Sequence, residues 1–416
     1  MGTRLIFDHS AMCMTNWHKM FSPNYTSDTG TEQGDFGKEI ASIYYEMVLR
    51  FNPSEIVFAL DSKPYWRNFY FAQEYAENSC RLYKHKTDID SFILDMDSSI
   101  VQVKRNDITG NWEVITHTLS QAQKAGINVD MQTEDEAEYS RIQLGDITDQ
   151  QAHDAVLGQI PAYKGSRTKQ KWKGRTPKKE AQELFRNIAF NFAPLVCGKV
   201  VEVAHAEADD IIHEYSKMNP ADTTILVSLD MDLQQCCKNG LFVHYWDIYH
   251  KEWVNRDIHD IWQKLFYKVI GGDSSDNIKG CSMVKRSTKF PEVKFKNGVI
   301  DGGKGTFNWV ETQLKTWATK TGNTELSLDA YKYVHEQAIK SQDRNTYMRN
   351  YNLVNMDQRP EVLSEQIRNA IYTAPVQVPE LALEDFGLSA MDIAKIQQHA
   401  ALDRQTDAED GIGAPL

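Results

Sequence analysis

Three apolar runs that each stop at an aspartate constrain this chain more than any other feature. Leu5-Ile6-Phe7 stops at Asp8, Ile56 to Leu60 stops at Asp61, and Thr224 to Leu229 stops at Asp230. Continuous apolar runs, rather than alternating ones, are what parallel strands buried on both faces require. Between the first two runs, Phe36, Ile40, Ile43, Tyr44, Met47, Val48 and Phe51 recur at spacings that fit one face of a helix. The pattern predicts an α/β fold with a central, mostly parallel sheet flanked by helices. Parallel strands bring their carboxyl ends to one edge, so Asp8, Asp61 and Asp230 are expected to meet there. Asp232 follows by two, and its carboxylate points the same way as that of Asp230 if the extended conformation persists. One aspartate after a strand is ordinarily a turn or cap residue, but three in one sheet point to a shared site.

Two further acidic groups join the argument. Glu207, Asp209 and Asp210 sit at the start of a predicted helix, where the helix dipole alone accounts for one or two acids. Asp273 and Asp276 follow Gly271-Gly272 in what would by itself be an ordinary Asx-type turn. Converging carboxylates cannot all stay ionised unaided, since two unit charges about 4 Å apart repel by roughly 4 kcal/mol at an effective dielectric of 20. Cations must share such a site. Oxygen donors without His or Cys favour magnesium, with manganese as a substitute, and two such ions would activate water for an in-line phosphoryl displacement.

Charge is unevenly distributed. The net charge is −12, yet residues 163–179 carry eight basic residues and no acid: Lys164, Arg167, Lys169, Lys171, Lys173, Arg175, Lys178 and Lys179. A basic run is ordinarily a solvated face or linker, but Tyr163 and Trp172 interrupt this one as base-stacking candidates. Residues 88–160 hold 14 acids and four basic residues, and include a predicted hairpin, Ile100–Val103 with Trp112–Ile115 around Asn106–Asn111, and an acidic tract, Glu134–Glu138. A carboxylate centre beside a basic, aromatic-bearing segment predicts a nuclease. No apolar run approaches the length that spans a bilayer, and the N-terminus lacks a signal-peptide pattern, so a cytoplasmic protein without a membrane partner is expected. The six cysteines match no zinc spacing and are expected to be reduced thiols, mostly buried.

LIFD (to Asp8), IVFALDSKPYWR (to Arg67), AYKGSR (to Arg167), AEADD (to Asp210), SLDMDLQQ (to Gln235), GGDSSDNIKG (to Gly280) and YNLVNMD (to Asp357) closely resemble, in order, segments of the 5′-nuclease family. That family comprises flap endonucleases, the 5′-exonuclease domain of bacterial DNA polymerase I, and phage 5′-exonucleases, including the T-even phage ribonuclease H; the phage members are the most similar. The resemblance implies a PIN-like nuclease core over 1–270, with residues 86–160 as an acidic insertion and 161–195 as a basic helical arch. It further implies a mainly helical duplex-binding region over 271–375, leaving an acidic tail over 376–416. Asp8, Asp61, Glu207, Asp209 and Asp230 would surround one magnesium, and Asp210, Asp232, Asp273 and Asp276 would serve the second or its water shell. Lys164 and Arg167 would touch the scissile phosphate as catalytic residues. Tyr163, Lys169, Lys171, Trp172, Lys173 and Arg175 would hold nucleic acid along the arch, and Gly303, Lys304 and Gly305 would bind duplex phosphates. The family's potassium ion is left unassigned, because Lys279 replaces the usual proline and about twenty residues intervene before Gly302.

The activity implied is hydrolysis near a 5′ end in DNA flaps and in the RNA of RNA–DNA hybrids, during primer or flap removal in replication, with a phage origin in a bacterial host. A monomer is expected, with a single-strand-binding protein or a sliding clamp as candidate partners. Two alternatives are a PIN-like endoribonuclease acting on structured RNA and a non-catalytic binder of branched DNA. Gly298–Thr306 nearly matches a nucleotide-binding loop, but Gly305 stands where the magnesium-binding hydroxyl belongs.

Overall fold

The computed structural model describes residues 2–22, 24–62, 65–78, 80–96, 99–127, 138–164, 172–254, 258–282, 294–296, 299–301, 308–323 and 327–376. The chain divides into two compact units that interleave along the sequence. One comprises Met1–Pro64, Gln170–Leu265 and Met356–Leu416, the other Tyr65–Lys169 and Phe266–Asn355.

The first unit holds a six-stranded sheet in the order Glu252–Trp253, Val243–Asp247, Thr223–Ser228, Thr3–Asp8, Glu55–Leu60, Lys199–Glu202. All neighbours run parallel except the two-residue edge strand Glu252–Trp253. The strand Thr3–Asp8 is central, pairing Phe7 with Phe58 on one side and with Val227 on the other. Phe7, Phe58 and Val227 are fully buried, so the continuous apolar runs do report strands covered on both faces. The helix after the first strand, His9–Met20, buries Met12, Cys13 and Trp17. The next runs from Glu32 to Phe51 and buries Phe36, Ile40, Ala41, Tyr44, Met47 and Val48, the face its spacing predicts. It starts four residues earlier than its apolar stripe because the Thr31 hydroxyl accepts the Gly34 N–H as an N-cap, and it stops where Asn52 turns left-handed. Each large side chain so buried contributes about 1.5–3 kcal/mol.

The second unit contains a five-stranded antiparallel sheet in the order Trp112–His117, Ser99–Arg105, Ser91–Met96, Cys80–His85, Tyr139–Arg141. The predicted hairpin is two of these strands, with Val103 opposite Val114. The acidic stretch therefore supplies four strands of one sheet that begins at Cys80, before the expected start at residue 86. Of the tract Glu134–Glu138, only Glu138 lies among the described residues, with its carboxylate on the His85 ring. Residues 271–375 are mainly helical, as expected: Asn308–Thr321, Leu328–Ile339, Arg344–Val354 and Glu361–Thr373. The strand Val299–Asp301 pairs antiparallel with Lys294–Lys296, so among the described residues no parallel strand feeds the near-match to a nucleotide loop. Residues 377–416 lie outside the described residues.

No helix among the described residues is long and apolar enough to cross a membrane. All six cysteines are free thiols, with Cys13, Cys80, Cys236 and Cys281 buried.

Candidate metal and nucleic-acid site

Seven of the nine predicted acids belong to the first unit, and hydrogen bonds link several of them near the carboxyl edge of its sheet. Asp8 ends the central strand, is 1 % exposed, and caps the following helix by accepting the Ala11 N–H. The Ser228 hydroxyl donates to Asp8 Oδ2 at 2.7 Å and accepts the Asp230 N–H at 2.9 Å, linking two strand ends through one oxygen. Asp61 Oδ1 accepts the Ala208 N–H at 2.8 Å, which brings it to the helix start that carries Glu207 and Asp209. Burial first, then the charge of Asp61 and, more weakly, that of Asp230, push the Asp8 carboxyl up to about 7, against the pull of the Ser228 hydroxyl. Asp8, Asp61 and Asp230 thus share one edge, as the strand pattern predicts, and the helix start at Glu207 adjoins Asp61.

Asp232 departs from expectation. The extended conformation ends at Asp230, whose carboxylate accepts the Asp232 N–H at 2.9 Å and caps the 3₁₀ helix Met231–Asn239. A short side-chain acceptor at a strand end competes with continued strand, and here it wins. Glu207 is the N-cap of the helix Ala208–Lys217 and forms a reciprocal capping box with Asp210. Among the described residues, no three His, Cys, Asp or Glu side chains stand in a ready-made metal-holding group. The donor chemistry nevertheless fits a hard cation: the acids are oxygen-only donors, and Asp8 is destabilised by its neighbours in a way that positive charge would relieve.

Asp273 and Asp276 belong to the second unit, in a hairpin that pairs Gly272–Asp273 with Ile278–Lys279. Gly272 has φ +75°, and a Cβ there would lie 2.4 Å from the Gly280 nitrogen, so only glycine fits. Burial raises the Asp273 carboxyl, but Lys268 at 2.7 Å and the Ser275 side chain and backbone outweigh it and hold Asp273 below the usual carboxylate range. Asp276 accepts the Tyr163 hydroxyl at 3.1 Å, and its carbonyl accepts the Lys164 N–H at 3.0 Å.

The aromatic residues of the basic segment are not the stacking platforms expected. Tyr163 is 7 % exposed and packs in the core of the second unit near Phe71, with a ring separation of 6.3 Å. Trp172 stacks on Trp17 at 5.6 Å and donates its indole N–H to the Thr176 carbonyl. Burial of apolar ring area outcompetes exposure for a ligand in both cases. Lys173 and Arg175 are exposed, and they flank a backbone pinned to the first unit. The Trp17 indole donates to the Lys173 carbonyl, and the carboxylate of Glu32 accepts the N–H groups of Arg175 and Thr176. Lys164 is described, with its ammonium 5.2 Å from the Tyr163 ring centroid. Arg167, Lys169, Lys171, Gly303, Lys304 and Gly305 lie outside the described residues.

Sequence reasoning missed the residues behind these acids. Arg359 donates to the Asp210 carbonyl at 3.0 Å and pairs with Glu214, whose other oxygen accepts from Arg368 at 2.6 Å. Asp357 meets Lys238 at 2.6 Å, Lys217 at 3.1 Å and His213 Nε2 at 3.2 Å, the last without a well-formed hydrogen bond. In the second unit, Asn350 donates to the Val269 and Lys279 carbonyls, holding the base of the acidic hairpin. Asp357 ends the late segment YNLVNMD and Asn350 immediately precedes it, but nothing local marks their partners, which lie many residues away in sequence.

No family model matches the chain, and no curated protein does. Solved structures similar to it include three of bacteriophage T5 proteins. One is a T5 protein co-crystallised with metal ions, 12 % identical with a TM-score of 0.43. Another is the T5 5′-exonuclease with zinc bound, 11 % identical with a TM-score of 0.41. A third is a T5 flap endonuclease in a pseudo-enzyme-product complex with DNA and metal ions, 12 % identical with a TM-score of 0.41. Each comparison covers 96 % of this chain and 99 % of the other.

Proposed function

We propose that this protein is a divalent-cation-dependent 5′ nuclease that hydrolyses phosphodiesters near a single-strand to duplex junction, acting on DNA flaps and on the RNA of RNA–DNA hybrids. The observation that carries the proposal is the gathering of Asp8, Asp61, Glu207 and Asp230 at one sheet edge, where Asp8 is pushed up to about 7 by burial and by its acidic neighbours. Such an arrangement suits a pair of magnesium ions, which when bound would activate water and stabilise both oxygens of an in-line displacement. Asp8, Asp61, Glu207, Asp209 and Asp230 would hold one ion, with Asp232 serving the other. The Ser228 hydroxyl fixes the orientation of Asp8 and the backbone of Asp230, so that neither has to reorganise as charge arrives. Lys164 and Arg167 are proposed to contact the phosphate, and Lys169, Lys171, Lys173 and Arg175 to track the backbone of the strand. In this scheme residues 1–270 carry catalysis and 271–375 duplex binding, in a monomeric enzyme of replication that removes primers or flaps.

The test is parallel digestion of a 5′-labelled flap, a nicked duplex, an RNA–DNA hybrid and a structured RNA, with and without magnesium. Magnesium-dependent cutting of the flap or hybrid, lost in Asp232→Asn while substrate binding persists, is expected. Cutting of the structured RNA alone would indicate an endoribonuclease. Binding without any cutting would indicate a non-catalytic protein.

A further inference from the structure

The acids at the start of the helix Ala208–Lys217 are of two kinds. Asp209 is half-buried, whereas Asp210 is fully buried and meets a cationic network. Asp210 Oδ2 accepts the Glu207 N–H at 3.0 Å, and Oδ1 stands 3.7 Å from Arg359 Nη1. The same guanidinium donates to the Asp210 carbonyl at 3.0 Å, to Glu214, and through Nε to the Ser364 hydroxyl at 3.1 Å. A dication placed on Asp210 would sit against the charge of Arg359 in a poorly screened interior, which disfavours it. A carboxylate that accepts the N-cap N–H instead fixes the backbone of the residue it caps, here Glu207.

From this we propose that Asp210 and Arg359 are positioning residues: Asp210 holds Glu207 in register from behind the site, Arg359 holds Asp210, and neither touches metal. The sequence pattern AEADD conceals this, because it writes Asp209 and Asp210 as equivalents. The proposal rests on the nuclease reading above and assigns the helix-start acids distinct roles within it. Breaking the buried Arg359 contacts lowers stability as well, so the informative readout is metal affinity of folded protein.

Mn2+ titrated calorimetrically into the full chain without nucleic acid, at a temperature where melting curves show each variant folded, tests it. Asp8→Asn and Asp230→Asn should each weaken binding by about tenfold or more, as loss of a ligand does. Asp210→Asn keeps an oxygen for the Glu207 N–H and should stay within about threefold of the parent. Asp210→Ser, which keeps a shorter oxygen acceptor there but cannot act as a carboxylate ligand, should do the same and serves if the asparagine variant does not fold. Arg359→Gln should weaken binding by about tenfold, as loss of an outer-shell partner does, with Arg359→Lys in between. Equal losses in Asp210→Asn or Asp210→Ser and in Asp8→Asn would overturn the proposal by making Asp210 a ligand. Unchanged affinity in a folded Arg359→Gln would overturn the part assigned to Arg359. Unchanged affinity in Asp8→Asn and Asp230→Asn would instead overturn the nuclease reading, and the positioning roles with it.

Discussion

The two units present acids in opposite electrostatic states. At the sheet edge of the first, burial and then the charges of Asp61 and Asp230 push Asp8 up to about 7. In the hairpin of the second, Asp273 has Lys268 at 2.7 Å and Ser275 beside it, and is held below the usual range. The hairpin brings its own counter-charge and is complete as folded. At the sheet edge the charges that shift Asp8 are those of Asp61 and Asp230, of the same sign as its own. Strain of this kind is what a binding site retains at some cost to stability.

The largest effect that tests this contrast is on catalysis. Asp8→Asn should lower kcat on a flap substrate by about a thousandfold, the several kcal/mol that metal-assisted charge stabilisation supplies. Without divalent cations the same variant should unfold in urea at no less than about 1 kcal/mol below the parent, because it also removes a like charge. A marked loss of stability there would break the contrast.

The hairpin is sharpened by Gly272→Ala, which combines φ +75° with a contact at 2.4 Å and should cost about 3 kcal/mol or more in urea unfolding. Gly110 has φ +69° and nothing within 4 Å of a Cβ, so Gly110→Ala should cost no more than about 1–2 kcal/mol.

Acid tests the network behind the sheet edge. Burial, with Lys217 and Arg359 nearby, outweighs Asp357 and lowers the His213 imidazole from 6.5 to about 4. The unfolded chain therefore takes up this proton first, so the stability His213 contributes is complete above pH 6.5 and lost as pH falls towards 4. His9, also lowered to about 4 by burial, acts with the same sign. Replacing His213 with Gln should remove roughly 2 kcal/mol of the fall between those pH values, leaving the share due to His9. Asp357, held low by its contact with His213 and by Lys238 against the effect of burial, loses its contribution at lower pH, below the ordinary carboxylate value. A pH profile that does not change in the variant would remove His213 from the account.

The smallest effect is Asp273→Asn, which removes the pair with Lys268 and should destabilise by about 1 kcal/mol, opposite in sign to any relief at Asp8.

What could be read from the sequence follows from locality. The strand ends at Asp8, Asp61 and Asp230 were legible because burial on both faces writes an uninterrupted apolar run, and the helix over Phe36–Phe51 because one buried face writes a period. The antiparallel strands Cys80–His85 and Ser91–Met96 were not, since CRLYKH and SFILDM mix polar and apolar residues and the former pairs with Tyr139–Arg141 far along the chain. Tyr163 and Trp172 look the same in a basic run whether they face solvent or a core. Arg359 and Asn350 act on carbonyl oxygens, which carry no residue identity for a pattern to register.

The central strand Thr3–Asp8 pairs with Thr223–Ser228, and the hydroxyl that orients Asp8 comes 220 residues after it. Contacts of such separation form slowly and late. On the ribosome, Asp8 and Asp61 emerge long before Ser228, Asp230 or Arg359 exist to complete their surroundings. A prematurely terminated polypeptide lacking residue 228 would have no second flank for its middle strand, so in the proposed reading an unfinished translation product would be unable to cut nucleic acid.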